Sequence, residues 1–472
     1  MDFLLFHLDG MGDRMLIAVV AIIHVIVNHP MAVGIYPLIA LLEFAGIRTG
    51  DDRFDSLAKK MTFVVFVITT TVGALTGVGI WFSTAIVSPF AIGSLLRVFF
   101  WGWATEWIVF IAEVVLLLIY YLTWDRWHEG RAKYRHLAVG IVLSISSWAT
   151  MAIIVAILGF MMSSGTWTEH PSFWSAFLNP LYVPQLAFRT SFAMMAAGLF
   201  AWFLTAFFTS HDHEFRSKVV RRIAIWTMVW LVPCLVSALW YWSAVPEAMA
   251  TQVGVGLMTV RFADWSQKAI YVVAGAIGAI AVTAVLGIIW PRRVPRFALI
   301  VPFVIGIWML GHFERVREFI RKPYVIADYM YSNGVRVQDV PLYQKEGILT
   351  YAAFASANEV TEENMLVAGH DVFMLSCSRC HTTDGMNGLV QKFEVLYGDG
   401  PWDPEQMKNF VRGIHISRPY MPPFPGNQAE LEALVQYIRH LRNPASPSAN
   451  KQAEMVPVQR SGELAFAHPV SE

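Results

Sequence analysis

The chain has 472 residues, of which 56% are hydrophobic and only 15% are charged, and its mean hydropathy is +0.49. This composition excludes a soluble enzyme of this length and predicts a protein embedded in a membrane. The formal net charge is zero, which gives no support for a nucleic-acid partner. Three cysteines are too few for a disulfide framework, and two of them stand in one short motif.

Eight apolar runs are long enough to cross a bilayer as helices. They lie near residues 15–45, 58–83, 93–124, 135–162, 182–208, 217–244, 266–290 and 297–313. The first run has no small-residue cleavage site, so we expect it to remain as an uncleaved first helix. The sequence therefore predicts an all-α fold with a polytopic bundle of about eight transmembrane helices in residues 1–330.

Lysine and arginine residues are concentrated in every second connection between these runs. They cluster after the first, third, fifth and seventh runs, whereas 84–92 and 163–181 contain none and 245–265 contains only Arg261. The positive-inside rule places the basic connections in the cytoplasm and both chain ends on the opposite side. We therefore expect a multi-pass inner-membrane protein with a periplasmic C-terminal region.

Ionisable residues inside the runs are costly in lipid and therefore indicate functional sites. His24 and His29 lie in the first run, Glu106 and Glu113 in the third, and Arg189 in the fifth. Neutral imidazole is a usual ligand of haem iron, and an arginine can pair with haem propionates or with acids. The alternative is that the histidines only hydrogen-bond to neighbouring helices and the charges form structural ion pairs.

Four segments of residues 8–330 occur in a characteristic order. They are Asp13-Arg14 ahead of His24, Val72-Gly73-Ala74-Leu75-Thr76-Gly77, Glu113 ahead of Trp124-Asp125-Arg126, and Arg321-Lys322-Pro323-Tyr324 ahead of Asp328. Together they resemble subunit I of cytochrome bd-type quinol oxidases. The resemblance implies one or more b-type haems, with His24 as an iron ligand and Glu113 and Asp328 as catalytic acids beside a haem.

The chain also departs from that family. Thr105 aligns with a haem-site glutamate, and Arg189 aligns with the histidine that ligates the low-spin haem. The quinol-binding loop is reduced to a short segment near 245–265, and a ninth span is missing. The resemblance therefore implies a haem pocket around His24, but it carries over neither the low-spin haem nor the quinol site.

The segment Cys377-Ser378-Arg379-Cys380-His381 has the C-x-x-C-H spacing that attaches a c-type haem. Two thiols three positions apart can each form a thioether to one porphyrin, and the adjacent imidazole can bind the iron. A structural zinc site or a redox dithiol is the alternative, but zinc takes about four ligands and the chain has no second cysteine pair.

Met421 is the candidate for the second axial ligand of this haem. It precedes two prolines, whose backbone is extended and has no free N–H, so a loop can present the methionine rigidly. A histidine–methionine pair raises the potential of haem iron, as electron-transfer cytochromes require. Met386 and Met407 are the alternatives.

Residues 361–442 have the pattern of a small all-α domain that resembles class I cytochromes c. Thr361 can cap a helix that leads into the haem motif. A closing amphipathic helix is predicted from Leu431, Leu434, Val435, Ile438 and Leu441. We expect 331–360 to be a connector and 443–472, which is rich in Pro, Ser, Ala and Gln, to be a flexible tail.

These features favour a membrane electron-transfer subunit of a respiratory complex. It would relay electrons between one covalent haem c and one or more haems b, with other membrane subunits, a periplasmic cytochrome c or redox enzyme, and a quinone as partners. The haem groups supply the chemistry, and the protein positions and tunes them. The alternatives are a terminal oxidase that reduces oxygen with electrons entering through haem c, and a non-catalytic membrane anchor for a cytochrome c domain.

Overall fold

The fold is that of a computed structural model, which describes residues 3–443 apart from 5, 259–264 and 322–324. For 258 and 265–267 it describes the backbone alone. Arg261, Lys322, Pro323, Tyr324 and the predicted tail beyond Asn443 therefore lie outside the described residues. The described part is helical and contains no strand, which confirms the predicted all-α fold.

Eight helical segments of the described chain are long and apolar enough to cross a membrane, as predicted. They are Asp13–Thr49, Asp52–Val87, Phe100–Leu122, Gly130–Met162, Tyr182–Phe208, His213–Ala244, Lys268–Ile289 and Phe297–Arg321. The last helix continues beyond the predicted apolar run near 297–313 and ends at Arg321. Four charged side chains in that last part of the helix are buried and paired with one another: Glu314, Arg317, Glu318 and Arg321.

The helices up to Arg321 are numbered in chain order. They are α1 (Asp13–Asn28), α2 (Ile35–Thr49), α3 (Asp52–Ile68), α4 (Ala74–Val87), α5 (Pro89–Val98), α6 (Phe100–Leu122), α7 (Gly130–Met162), α8 (Phe173–Phe177), α9 (Tyr182–Phe208), α10 (His213–Ala244), α11 (Glu247–Ala250), α12 (Gln252–Met258), α13 (Trp265–Ile289) and α14 (Phe297–Arg321).

Two compact units are present. Of the described residues, the membrane unit comprises those within 18–83 and 90–328, and the C-terminal unit comprises those within 3–17, 84–89 and 329–443. Within the membrane unit α9 is the most buried span, and it packs against α2, α10 and α14. Small residues allow these close contacts, since a Cβ on Gly198 of α9 would overlap the Thr227 hydroxyl of α10.

The first span is interrupted by a π-turn, His29–Val33, between α1 and α2. Pro30 lacks an N–H and cannot continue the regular helical ladder, and the Gly34 N–H instead donates to the carbonyl of His29 at 3.0 Å. Gly34 lies so close to Ala193 of α9 that a side chain would clash there. The interruption therefore fixes His29 against α9.

The C-terminal unit is built from α15 (Val340–Glu346), α16 (Met365–Ser376), α17 (Leu389–Tyr397), α18 (Pro404–Arg412), α19 (Ile414–Ser417) and α20 (Gln428–Arg442). The predicted closing helix is α20, whose apolar face is buried. It crosses α16 where Gly369 leaves no room for a side chain against the backbone of Ala433. Thr361 caps a turn, since its hydroxyl accepts the Asn364 N–H at 3.2 Å, and α16 begins after that turn.

Residues 331–360, predicted as a connector, contribute to the core of this unit through Val335, Val340, Ile348 and Leu349. Glu430 on α20 holds this segment, because its buried carboxylate accepts the backbone N–H groups of Ile348 at 3.0 Å and Leu349 at 2.8 Å. The segment also reaches the loop after Met421, since the Gln344 amide donates to the Phe424 carbonyl at 2.9 Å.

Candidate functional site

The haem motif lies in the turn that ends α16. The N–H of Cys377 still donates to Phe373 in the last helical turn, and the N–H groups of Cys380 and His381 both donate to the Cys377 carbonyl. The Arg379 guanidinium donates to two carbonyls at the helix end, those of Met374 at 3.0 Å and Leu375 at 3.3 Å, as cations at helix C-termini do. The turn thus brings both cysteines and the histidine together.

The His381 ring is oriented by the next turn of the chain. Its Nδ1 lies 3.0 Å from the Asn387 carbonyl oxygen, which fits an Nδ1–H donor and a lone pair on Nε2. Asn387 adopts φ +62°, a conformation that Asn tolerates, and its amide donates to the Cys380 carbonyl at 2.7 Å. Metal-binding histidines in proteins commonly have this backbone-carbonyl partner on the other ring nitrogen.

Neither cysteine of the motif forms a disulfide. Burial raises the pKa of the Cys377 thiol to about 12, so it is an S–H group at neutral pH. A neutral thiol can add across a porphyrin vinyl group to form a thioether. Among the described residues no group of three or more His, Cys, Asp or Glu is arranged to hold a bare metal ion.

Met421 lies in the loop between α19 and α20 and is partly buried. Its N–H donates to the Arg418 carbonyl at 2.8 Å, and its own carbonyl lies 2.6 Å from Nδ1 of His415. Of the alternatives, Met407 on α18 is fully buried in the core, and Met386 is 51% exposed. Met421 therefore remains the candidate, and His415 is a residue holding its loop that the sequence did not indicate.

His24 contacts α4 at its glycine-rich turn. Its Nδ1 lies 3.1 Å from the Thr76 hydroxyl, which itself donates to the Val72 carbonyl at 2.6 Å. The hydroxyl oxygen can therefore accept the His24 Nδ1–H, and the lone pair remains on Nε2. Gly77 packs directly against the imidazole, since a Cβ there would lie 3.3 Å from the ring. The contact thus fits the tautomer that an iron ligand needs.

His29 is held differently. The Arg189 guanidinium donates to His29 Nε2 at 2.9 Å, so the lone pair that iron would need is directed at Arg189. A guanidinium nitrogen of Arg189 also lies 3.4 Å from a carboxylate oxygen of Glu314, and Glu314 is paired with Arg317. The contact does not fit His29 as an iron ligand through Nε2, and these four side chains form a buried charged network in the membrane unit.

The two predicted catalytic acids have different surroundings. Glu113 on α6 is partly buried and accepts the Thr150 hydroxyl of α7 at 3.3 Å. Asp328 is exposed in a turn and has φ +62°. The structure does not bring Asp328 into a buried pocket with Glu113.

A second buried polar cluster was missed by the sequence analysis. Glu43 of α2 is fully buried, lies 2.6 Å from Nδ1 of His136 and accepts the Tyr120 hydroxyl at 2.7 Å. Lys133 pairs with both Glu43 and Asp55. The signal in the sequence was the acid within the first span together with a histidine near the start of the fourth.

Comparison with known proteins gives two separate matches. Residues 13–245 match the family model of cytochrome bd terminal oxidase subunit I, and residues 364–438 match that of cytochrome c oxidase, cbb3-type, subunit III. The chain joins a cytochrome bd-like membrane part to a cytochrome c-like part. The bd oxidase from Geobacillus thermodenitrificans has the same membrane fold, with a TM-score of 0.55 at 16% identity over 67% of this chain and 89% of that one. No curated protein matches the chain significantly.

The bd-like and cytochrome c-like parts both correspond to families of haem proteins in respiratory electron transfer. The chain is accordingly a haem-containing electron-transfer subunit of the multi-pass membrane type, with partners among membrane subunits and redox proteins in general.

Proposed function

We propose that this chain relays electrons between one covalent haem c outside the cytoplasm and one or more haems b in the outer half of the membrane. The observation that carries the proposal is the turn that ends α16, where two cysteines that form no disulfide stand beside an imidazole whose Nδ1 faces the Asn387 carbonyl. Cys377 and Cys380 would hold the porphyrin, and His381 would bind its iron. When bound, a haem c exchanges single electrons.

His24 is the proposed protein ligand of a haem b. Its support is the Nδ1 contact with Thr76, which leaves Nε2 able to bind iron. We propose that His29 does not ligate iron, and that Arg189 pairs with the acid Glu314 rather than with haem propionates, in a buried network that includes Arg317. Haem c would then serve as the redox port in place of a low-spin haem.

A pyridine haemochromogen assay combined with redox titration of the purified protein tests this function. We expect one haem c and at least one haem b per chain, with His24→Ala losing haem b while haem c is retained. A protein that contains haem c alone would instead be an anchor for a cytochrome c domain.

The periplasmic location of the cytochrome c-like part is also a proposal, supported by the alternation of basic connections in the sequence. Haem c would then be accessible to a periplasmic cytochrome c or redox enzyme, with other membrane subunits and quinone as further partners. A membrane-impermeant protease added to intact spheroplasts should remove this part. If this part resists the protease until the membrane is broken, it lies in the cytoplasm and the proposal is contradicted.

Oxygen reduction is the second candidate function. It is favoured by the contact of His24 Nδ1 with Thr76 and by Glu113, which accepts the Thr150 hydroxyl in the membrane unit. Oxygen uptake by the purified complex, together with a high-spin haem that binds carbon monoxide, would support the oxidase. A complex that shows neither oxygen uptake nor a haem that binds carbon monoxide would support electron relay.

A further inference from the structure

The N-terminal segment 7–13 contacts the turn that follows the haem motif, within the C-terminal unit. The Asp9 carboxylate accepts two hydrogen bonds from Thr383, from the N–H at 2.7 Å and from the hydroxyl at 2.6 Å. The Met386 N–H donates to the Gly10 carbonyl at 3.0 Å. Three hydrogen bonds therefore join this segment to the turn that starts directly after His381.

Close backbone approach makes this contact specific. Gly385 lies between Thr383 and Met386, and any side chain there would clash with the carbonyl oxygens of Asp9 and Gly10. The glycine therefore lets the two backbones touch, and the segment fits over the turn.

His7 holds Asp9 in position. Its Nε2 lies 3.2 Å from Asp9 and its Nδ1 lies 3.3 Å from Asp13, and its ring is packed edge-on against Phe373 of α16 at 5.6 Å. Burial opposes a charge on this ring, but the hydrogen bonds that the ring donates to the two carboxylates outweigh burial and raise the pKa of His7 to about 9. Asp13 is 1% exposed and also accepts the Leu8 N–H at 2.8 Å, which shapes the segment.

We call the hydrogen bonds of Asp9 and Gly10 to the turn 382–387 the clamp. The turn that this clamp holds also orients His381. It begins with Thr382, whose hydroxyl donates to the Met386 carbonyl at 3.0 Å, and it ends at Asn387, whose carbonyl faces His381 Nδ1. The hydrogen bond at this nitrogen sets the orientation of an iron-binding imidazole and raises its basicity. A displacement of the turn would therefore alter the ligand itself.

We propose that Asp9 is a positioning residue for His381, acting through Thr383 and the turn 382–387. This inference rests on the proposed attachment of haem c at Cys377 and Cys380. By keeping the Asn387 carbonyl against Nδ1, the clamp makes the imidazole a stronger donor to iron. A stronger donor favours oxidised iron, so the clamp lowers the reduction potential of haem c.

Two pairs of variants test this role in the full-length protein. Thr383→Val removes the hydroxyl that donates to Asp9 without changing charge, and Thr383→Ser keeps it. Asp9→Asn removes the acceptor charge, and Asp384→Asn removes the same charge from the exposed neighbour of Thr383 in the same turn. The readouts are the midpoint potential of haem c and the hydrogen-exchange rate of the Met386 amide.

We expect Thr383→Val to shift the oxidised-to-reduced equilibrium constant about tenfold towards the reduced form, which is about 59 mV for one electron. Thr383→Ser should keep the wild-type potential. Asp9→Asn should raise the potential more than Asp384→Asn does, and both clamp-breaking variants should accelerate exchange at Met386.

An unchanged potential in Thr383→Val with haem c attached would overturn this inference alone, whatever the exchange rate, because the segment would then only pack. Equal shifts in Asp9→Asn and Asp384→Asn would overturn it as well, since charge would explain both. Should Asp9→Asn fail to accumulate, the Thr383 pair decides. Absence of covalent haem from the wild-type protein would overturn the proposed function itself and this inference with it.

Discussion

Glu430 joins the segment before the cytochrome c-like part to its closing helix, and Glu430→Gln is the substitution that tests this most sharply. The carboxylate is 2% exposed and accepts the N–H groups of Ile348, Leu349 and Asn427 at 2.8–3.0 Å. A glutamine has the same shape but only one accepting oxygen. Its NH₂ group must therefore face at least one of these N–H donors.

The stability that Glu430→Gln should lose follows from those contacts. A hydrogen bond to a charged acceptor contributes about 1.5–3 kcal/mol, and a buried N–H left without an acceptor costs about 1–3 kcal/mol. One lost bond, one unsatisfied donor and the weakening of the remaining bonds together give about 4 kcal/mol. At about 1.4 kcal/mol per factor of ten, local opening should become on the order of a thousand times more frequent.

Hydrogen exchange followed by mass spectrometry measures that opening at the Ile348 and Leu349 amides. Glu432→Gln is the matched control, because it makes the same charge change on the same helix. Glu432 pairs with Lys408 at a partly exposed site, where such pairs contribute less than about 1 kcal/mol. Equal exchange in the two variants would refute the view that Glu430 holds residues 331–360 to this unit.

Three further predictions concern the N-terminal segment and the membrane unit. The pKa of His7 is raised to about 9 in the fold, so its protonated ring stabilises the folded segment by about 2 kcal/mol after solvent screening. This stabilisation is complete below about pH 6.5 and is lost as the pH rises through 9. Amide exchange of segment 7–13, corrected for intrinsic rates, should therefore show an increased opening frequency between pH 7 and 10. Glu314→Gln takes from the buried Arg189 the carboxylate it pairs with, while Arg317 keeps Glu318; the uncompensated Arg189 charge should cost about 3–5 kcal/mol and lower the melting temperature in detergent. Thr76→Val removes the acceptor for His24 Nδ1–H and should broaden or shift the haem b spectrum without altering haem c.

Each of these predictions has a control. His7→Gln should abolish the pH dependence, and its persistence would exclude His7 as the titrating group. Glu394→Gln changes an exposed carboxylate of α17 and should leave the melting temperature unchanged. If it lowered the melting temperature as much as Glu314→Gln does, the buried network would not explain the loss of stability. Thr76→Ser keeps the hydroxyl, and a haem b spectrum altered as much as in Thr76→Val would remove the hydrogen bond as the cause.

The eight spans and the closing helix could be predicted because they depend on local pattern. Apolar length alone defines a membrane helix, and the spacing of Leu431, Leu434, Val435 and Ile438 defines one buried helix face. The C-x-x-C-H motif is likewise local, since all three functional atoms lie within five residues. Its turn at the end of α16 follows from that spacing.

Contacts between distant segments could not be predicted in the same way. α14 continues past the predicted apolar run near 297–313 because charges such as Glu314 and Arg317 have buried partners, which the sequence alone does not reveal. The contact of Arg189 with His29 joins residues 160 positions apart. Asp9 and Thr383 are 374 positions apart, and no sequence pattern indicates their pairing.

The central claim is that one porphyrin is bound covalently through Cys377 and Cys380. Intact-protein mass spectrometry under denaturing conditions, which removes non-covalent haem, tests it most directly. We expect the wild-type chain to carry the added mass of one haem and Cys377→Ser/Cys380→Ser to carry none. A wild-type chain at its bare polypeptide mass, or a double variant that keeps the added mass, would contradict the account.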